Sequence, residues 1–258
     1  MTQLSAISIF PIKSLGRLQV QSSAILPSGA LKGDREFAIV DETGRVVNAK
    51  KTAKIHAIRS QYEWLNRSVT LSAPGLITVT FHLDGDRAEI EMWLSEFFGF
   101  GVHLEQNEEM GFPDDPASPG PTIVSTQSLQ SVASWFDGMT LEEVRSRFRT
   151  NLELDAPEAF WEDQLFGTAD QLKQFTIGHV TFQGVNPCQR CIVPTRDSIS
   201  GDVTPAFQKI FLKNRDATLP PVVDRSRFNH FYRLAVNTRS NQGGVIRMGD
   251  RVDIGTLT

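Results

Sequence analysis

Cysteine is scarce in this chain: there are two, Cys188 and Cys191, and both fall in one short stretch. So small a set excludes a disulfide framework and suits a reducing compartment. Long apolar runs are missing too. No stretch approaches the roughly 18 consecutive apolar residues of a membrane-spanning helix, and Met1–Ser8 has neither the basic nor the apolar region of a signal peptide. The expectation is a cytoplasmic protein that starts directly at its first strand. A strong charge of either sign is also absent. The net charge is −4, which argues against a general nucleic-acid or anionic-membrane surface. Walker loop, G-x-G-x-x-G turn and G-x-S-x-G elbow are all lacking, as are internal repeats and low-complexity tracts.

What is present is an ordinary soluble composition over 258 residues, 40% hydrophobic and 22% charged, long enough for one large domain or two small ones. The first hundred residues read as short strands with regular turn signals. Leu18, Val20, Ser22, Ala24 and Leu26 alternate with polar neighbours. Hairpins are predicted around Asp41–Gly44 and Ala73–Gly75, and Asp84-Gly85-Asp86 is predicted to turn into a strand at Ala88–Glu91. A short helix is expected near Trp93–Phe98. Four prolines and four acids within Asn107–Pro121 predict an exposed linker. Beyond it, Leu129, Val132, Ala133 and Phe136 recur at helical spacing, with Ser125 or Ser128 as cap. Thr140 and Glu143 form a capping box, and Thr204 with Pro205 predicts another helix start. Phe175–Gln183 alternates and leads into the cysteines. The fold class is α+β and β-rich: a barrel- or sandwich-like domain over 1–106, a linker over 107–121, and a second domain over 122–258.

A thiolate binds soft metals and attacks electrophiles, and a neighbouring cation favours it. Arg190, between the two cysteines, is placed for that. The pair alone leaves several readings open: an inert buried pair, a zinc site completed by His179 and His230, a redox dithiol, or a single-thiolate metal site. The redox dithiol fits least, because Ile192–Thr195 reads as strand broken by Pro194 where a helix should open. A second constellation lies near the start. Lys13, Ser14 and Arg35, at predicted strand ends, offer the point charge, hydroxyl and planar fork that bind a phosphate. They can equally be solvated loop residues.

The run Pro187-Cys-Gln-Arg-Cys-Ile-Val-Pro-Thr-Arg-Asp197 resembles the signature of MOSC domains, in the branch that includes the mitochondrial amidoxime-reducing component and its bacterial relatives. The resemblance implies an N-terminal MOSC β-barrel domain, then a MOSC β-barrel domain with flanking helices. It implies that Cys191 ligates the molybdenum of a molybdopterin cofactor, with Asp197 as a substrate-orienting acid or simply a turn residue. Where the family has Thr-Thr-Val-Asp, this chain has Pro194-Thr195-Arg196-Asp197, with Arg196 the bulky departure. Phe10–Ser14 and Asp34–Phe37 are similar to the family's phosphate-holding motifs, with Phe10 in place of tyrosine and Phe37 in place of tryptophan. They assign the phosphate to Lys13, Ser14 and Arg35. Arg149 and Asn151 match residues beside the pterin, Arg190 joins that cofactor-binding set, and Ser125 and Ser128 fall in a pterin-contacting loop. By resemblance the reaction is reduction of N-hydroxylated or N-oxidised small molecules. Because two cysteines cannot hold a plant-type iron–sulfur cluster, a separate ferredoxin or flavin reductase is expected to supply electrons. The alternatives are a cofactor or sulfur carrier of the sulfurase type, and a zinc-binding structural protein.

Overall fold

Fifteen strands form among the described residues of a computed structural model, which covers 1–169 and 171–255. The last three positions of the segment predicted to run to 258 lie outside the described residues. The strands are β1 (Gln3–Ile9), β2 (Leu18–Val20), β3 (Ser22–Ile25), β4 (Phe37–Asp41), β5 (Arg59–Glu63), β6 (Ser68–Ser72), β7 (Val79–His82), β8 (Val102–Gln106), β9 (Ile123–Ser125), β10 (Leu152–Asp155), β11 (Lys173–Ile177), β12 (Val180–Gln189), β13 (Arg233–Arg239), β14 (Gly244–Arg247) and β15 (Val252–Ile254). Four helices accompany them: α1 (Arg87–Phe98), α2 (Thr126–Ser134), α3 (Leu141–Phe148) and α4 (Phe207–Ala217). The chain is α+β and β-rich.

The largest sheet runs β15-β11-β12-β13-β9-β10-β1-β2, so the first two strands of the chain sit in a sheet otherwise built from its second half. β3 likewise pairs with β14. A shared core follows, in which Leu4, Ile7 and Ile9 pack with Leu152, Phe175, Phe182 and Val236. A separate core under β4–β8 gathers Phe37, Ile39, Leu71, Trp93 and Leu94. A third, under the helices, stacks Phe136 on Phe207 with ring centroids 4.3 Å apart.

The caps follow the sequence. Ser125 Oγ accepts from Ser128 N at 3.1 Å, and Thr140 Oγ1 from Glu143 N at 3.1 Å, each worth about 1 kcal/mol. Four local expectations are corrected. Ala88–Glu91 is the start of α1, because Ile90, Trp93, Leu94 and Phe97 share one helical face against the core. Phe175–Gln183 is a hairpin, turning at Gly178 with φ 59°. Ile192–Thr195 is not strand: Val193–Thr195 forms a 3-10 turn containing Pro194. α4 starts at Phe207 after Ala206 in the left-handed region, and Thr204 instead accepts a 2.7 Å hydrogen bond from Arg147 Nη1.

Candidate functional site

The Phe10–Gly16 loop is laid alongside Asp34–Phe37 by backbone hydrogen bonds. Arg35 N donates to Phe10 O (2.9 Å), Phe37 N to Pro11 O (2.9 Å) and Lys13 N to Phe37 O (2.8 Å). Asp34 Oδ1 also accepts from Phe10 N at 2.9 Å. This brings Lys13, Ser14 and Arg35 to one small cavity of about 60 Å³, together with Lys50, Arg147, Arg149, Arg190 and Cys191. It opens into a larger cleft of about 510 Å³ that shares Arg35, Arg149, Arg190 and Cys191 and adds Asn151, Asn186 and Cys188. Six cations line the small cavity against a single acid, Asp114. So one-sided a lining focuses potential on an anion.

Asp114 Oδ1 accepts from Lys13 Nζ at 2.9 Å and from Lys50 Nζ at 3.2 Å. Burial would raise this carboxyl's pKa, but Lys13 and Lys50 hold it well below the usual range. The carboxylate therefore lies on the lysines that a phosphate would use. Its segment, expected to be an exposed linker, is irregular in structure but forms a wall of the larger cleft through Met110, Pro113, Ser118 and Gly120. Gly111, at φ 68°, is needed there, since a Cβ would fall 2.5 Å from Asp34 O.

Three residues of the small cavity hold unusual backbone conformations. Ser14 (φ 73°), Arg35 (φ 50°) and Arg149 (φ 53°) are all left-handed, at a cost of about 1–2 kcal/mol for each residue bearing a Cβ. Such strain persists where surrounding structure over-determines it and clusters at working sites. The Arg149 guanidinium stands 4.1 Å from the Phe10 ring centroid, and Arg35 approaches the same ring at 5.5 Å. Arg149 Nη2 is sealed from solvent without a hydrogen-bond partner, as is Arg190 Nε. Burial, and then Arg35, pull the Arg149 pKa down to about 10. Buried donors with no acceptor beside a half-buried thiol fit an anionic, sulfur-coordinated group.

Arg149 terminates α3 where glycine is usual. Arg149→Gly is expected to leave thermal stability unchanged or raise it by about 1 kcal/mol, while weakening inorganic phosphate binding by about tenfold. Thermal unfolding and calorimetric titration of phosphate check both. A large loss of stability with phosphate affinity intact would contradict the strain argument.

Other predicted site residues are engaged differently from the expectation. The Arg190 guanidinium serves Cys188, not Cys191: Nη1 lies 3.1 Å from Cys188 Sγ, and Nη2 donates to Phe148 O. The chain turns after Gln189, and Arg190 N is fixed on Tyr232 O at 3.0 Å. Asp197 lines neither the small cavity nor the large cleft. Its Oδ1 caps a turn, accepting from Ile199 N (2.9 Å) and Ser200 N (2.8 Å), so the catalytic expectation gives way to the turn reading. Asn151 lines the cleft, but its amide clamps Thr122 and Ser8 O. Ser125 and Ser128 are fully buried away from the cleft. Ser128 Oγ donates to Glu162 Oε2 at 2.9 Å and accepts from Phe160 N. The zinc alternative lacks a ligand set, since among the described residues no three metal-ligating side chains converge. Sequence reasoning missed Lys50, Arg147 and Asp114. Arg147 lies two positions before the motif residue Arg149; Lys50 and Asp114 carried no local signal.

The Glu162 carboxyl is pushed up to about 7 by burial and then by Asp163. Between the ordinary value of 4.5 and about 7, the folded state keeps a proton that the unfolded chain sheds. Stability should therefore fall as pH rises through this window. Glu162→Gln should flatten that slope in denaturant titrations at several pH values; an unchanged slope would assign it to other groups.

The profile of the MOSC N-terminal beta barrel domain matches residues 1–106, and that of the MOSC domain matches 122–253. Similar proteins include molybdenum cofactor sulfurase 1 of Aedes aegypti, 28% identical over 73% of this chain and 29% of its own length. The molybdenum cofactor sulfurase of Danio rerio is 26% identical over 73% and 27%, and that of Drosophila melanogaster 25% over 79% and 29%. The chain thus spans less than a third of the length of these curated relatives. The solved YUAD protein of Bacillus subtilis overlays 100% of this chain and 98% of its own with a TM-score of 0.46 at 9% identity, too slight a likeness to carry weight.

Proposed function

The chain belongs to the MOSC-domain family, and from that premise we propose that it is a molybdenum-cofactor oxidoreductase reducing N-hydroxylated or N-oxidised small molecules. One observation carries the reading: Cys191 borders the same cavity as six cations. A soft thiolate and an anion-binding basin, side by side, match the two ends of a metal-bearing pterin phosphate. When bound, the cofactor supplies the two-electron chemistry, and its own sulfurs leave room for a single protein thiolate.

This chain's residues do the rest. Lys13, Ser14 and Arg35 hold the phosphate, which competes with Asp114 for Lys13 and Lys50. Arg149 offers its unpartnered Nη2 to a buried acceptor, and the Phe10 ring keeps Arg35 and Arg149 in place. Asn151 ties the cleft floor together by joining Thr122 to Ser8. Reduction of an N–O bond consumes two electrons and two protons and releases water. A separate ferredoxin or flavin reductase in the cytoplasm delivers the electrons. No helix is long and apolar enough to cross a membrane among the described residues.

A second reading, a cofactor or sulfur carrier, is favoured by the sulfurase relatives and by the cation beside Cys188. One experiment separates the two. Metal-loaded protein is given reduced viologen and an aryl amidoxime without oxygen. The enzyme reading expects amidine, formed in step with viologen oxidation. Loaded protein that makes no amidine, yet accepts persulfide sulfur on a cysteine, would support the carrier instead.

A further inference from the structure

Arg149 borders a third space that the cofactor reading does not use. This cleft, about 610 Å³, meets the small cavity through Ser14, Ala49, Arg147, Arg149 and Val193, but Lys13, Arg35 and both cysteines are absent from its lining. Its volume suits a small organic molecule. Phe10, Leu15, Ile55, Ile58 and Val193 give it an apolar side.

The charges on its other side are unequally used. Five arginines and two glutamates line it. Both glutamates are engaged: Glu142 with Arg17 at 2.5 Å, and Glu143 with Arg147 and with Ser198 N at 2.9 Å. Arg149 belongs to the cofactor cavity, which leaves Arg59 and Arg196, neither of which has a carboxylate partner among the described residues. Arg59 is held by neutral acceptors, His56 O at 2.6 Å and Ile199 O at 3.1 Å, and Arg196 by Gly201 O at 3.1 Å. Asp197, the next acid, is committed to its turn and to Arg147 at 3.5 Å. Two buried nitrogens on this side have no partner, Arg196 Nε and His56 Nε2. Half-buried cations held by carbonyls, with a buried nitrogen left unpaired and no acid opposite, suit an anion from outside the chain.

We propose that this cleft is a second binding site, distinct from the cofactor cleft, for a small molecule bearing one carboxylate on an apolar body. The carboxylate lies between Arg59 and Arg196, and the body lies on the apolar side. Planar guanidinium forks favour a planar carboxylate. The site does not depend on the identity of the cofactor, because binding is read on the protein with or without metal.

The test is calorimetric titration of the full chain with benzoate, with its neutral isostere benzamide, and with inorganic phosphate. Benzoate should bind about tenfold more tightly than benzamide, and Arg59→Gln or Arg196→Gln should each weaken benzoate by about tenfold. Phosphate, read at the Lys13 and Arg35 cavity, should be unaffected by either change and should not displace benzoate. Arg196→Lys keeps the charge but loses the fork, and should weaken benzoate less than Arg196→Gln does. Circular dichroism checks folding, and if Arg196→Gln does not fold, Arg59→Gln decides. Absent benzoate binding, equal binding of benzamide, or benzoate binding lost in Lys13→Ala but kept in the arginine variants would each overturn the proposal.

Discussion

Cys191→Ser is expected to abolish reduction of an N-hydroxylated substrate, whereas Cys188→Ser retains most of it. Both cysteines are free thiols and half-buried, so chemistry and placement must separate them. Cys191 borders both cavities and packs against the N-terminal core. Cys188 borders only the larger cleft and packs against the helical core, with Arg190 on its sulfur. A serine oxygen is a harder and poorer donor to a soft metal than a thiolate. Loss of Cys191 should therefore remove turnover while Lys13, Ser14, Arg35 and Arg149 still hold much of the pterin. Cys188→Ser should cost about 1 kcal/mol of stability. Turnover and pterin content are measured on the two variants side by side. Full turnover in Cys191→Ser with loss in Cys188→Ser would reverse the assignment, and two fully active variants would refute it.

Arg215→Ala is expected to be among the most destabilising single changes in the molecule, at about 3–5 kcal/mol. Arg215 and Asp163 are both buried, at 0% and 2% exposure, and form an ion pair. The guanidinium also lies 4.2 Å from the Phe160 ring centroid and 5.1 Å from that of Phe228, and Nε donates to Arg233 O at 3.2 Å. Burial pushes the Asp163 carboxyl up, and Arg215 opposes this. Truncating the arginine leaves a carboxylate uncompensated beside Glu162. At this chain length the loss corresponds to a fall in melting temperature of roughly 10 °C. Adding Asp163→Asn should recover part of it. Denaturant unfolding of the single and double variants reads the coupling; a cost below about 1 kcal/mol would mean the pair behaves like an exposed salt bridge.

Much of the fold was legible because it rests on short-range signals. The alternation in Leu18–Leu26, the hairpin at Ala73–Gly75 and the caps at Ser125 and Thr140 are all local. The start of α1 was not legible, since Asp84–Asp86 reads as a strand-ending turn and only the tertiary core shows that Ile90 and Trp93 face the same way. The convergence of Lys13, Ser14, Arg35 and Arg149 was legible only through order and resemblance, because β1 carries the first loop into the second half's sheet. Asp114 was read as solvated, as acids among prolines usually are. Ser125 and Ser128 illustrate the opposite error: a motif position pointed to the cofactor, but both hydroxyls are used in the buried network around Glu162. Arg196 joins Arg59 and His56 from a distant part of the chain, and no spacing rule could bring it there.

Cys191 and the cation-lined cavity are expected together to hold a molybdenum-bearing pterin. The most direct measurement is the molybdenum and pterin content of protein purified from a host able to synthesise the cofactor. Wild type should carry both in equal, near-stoichiometric amounts, and Lys13→Ala combined with Arg35→Ala should lose both together. Wild-type protein that folds normally but emerges without molybdenum or pterin would contradict the account.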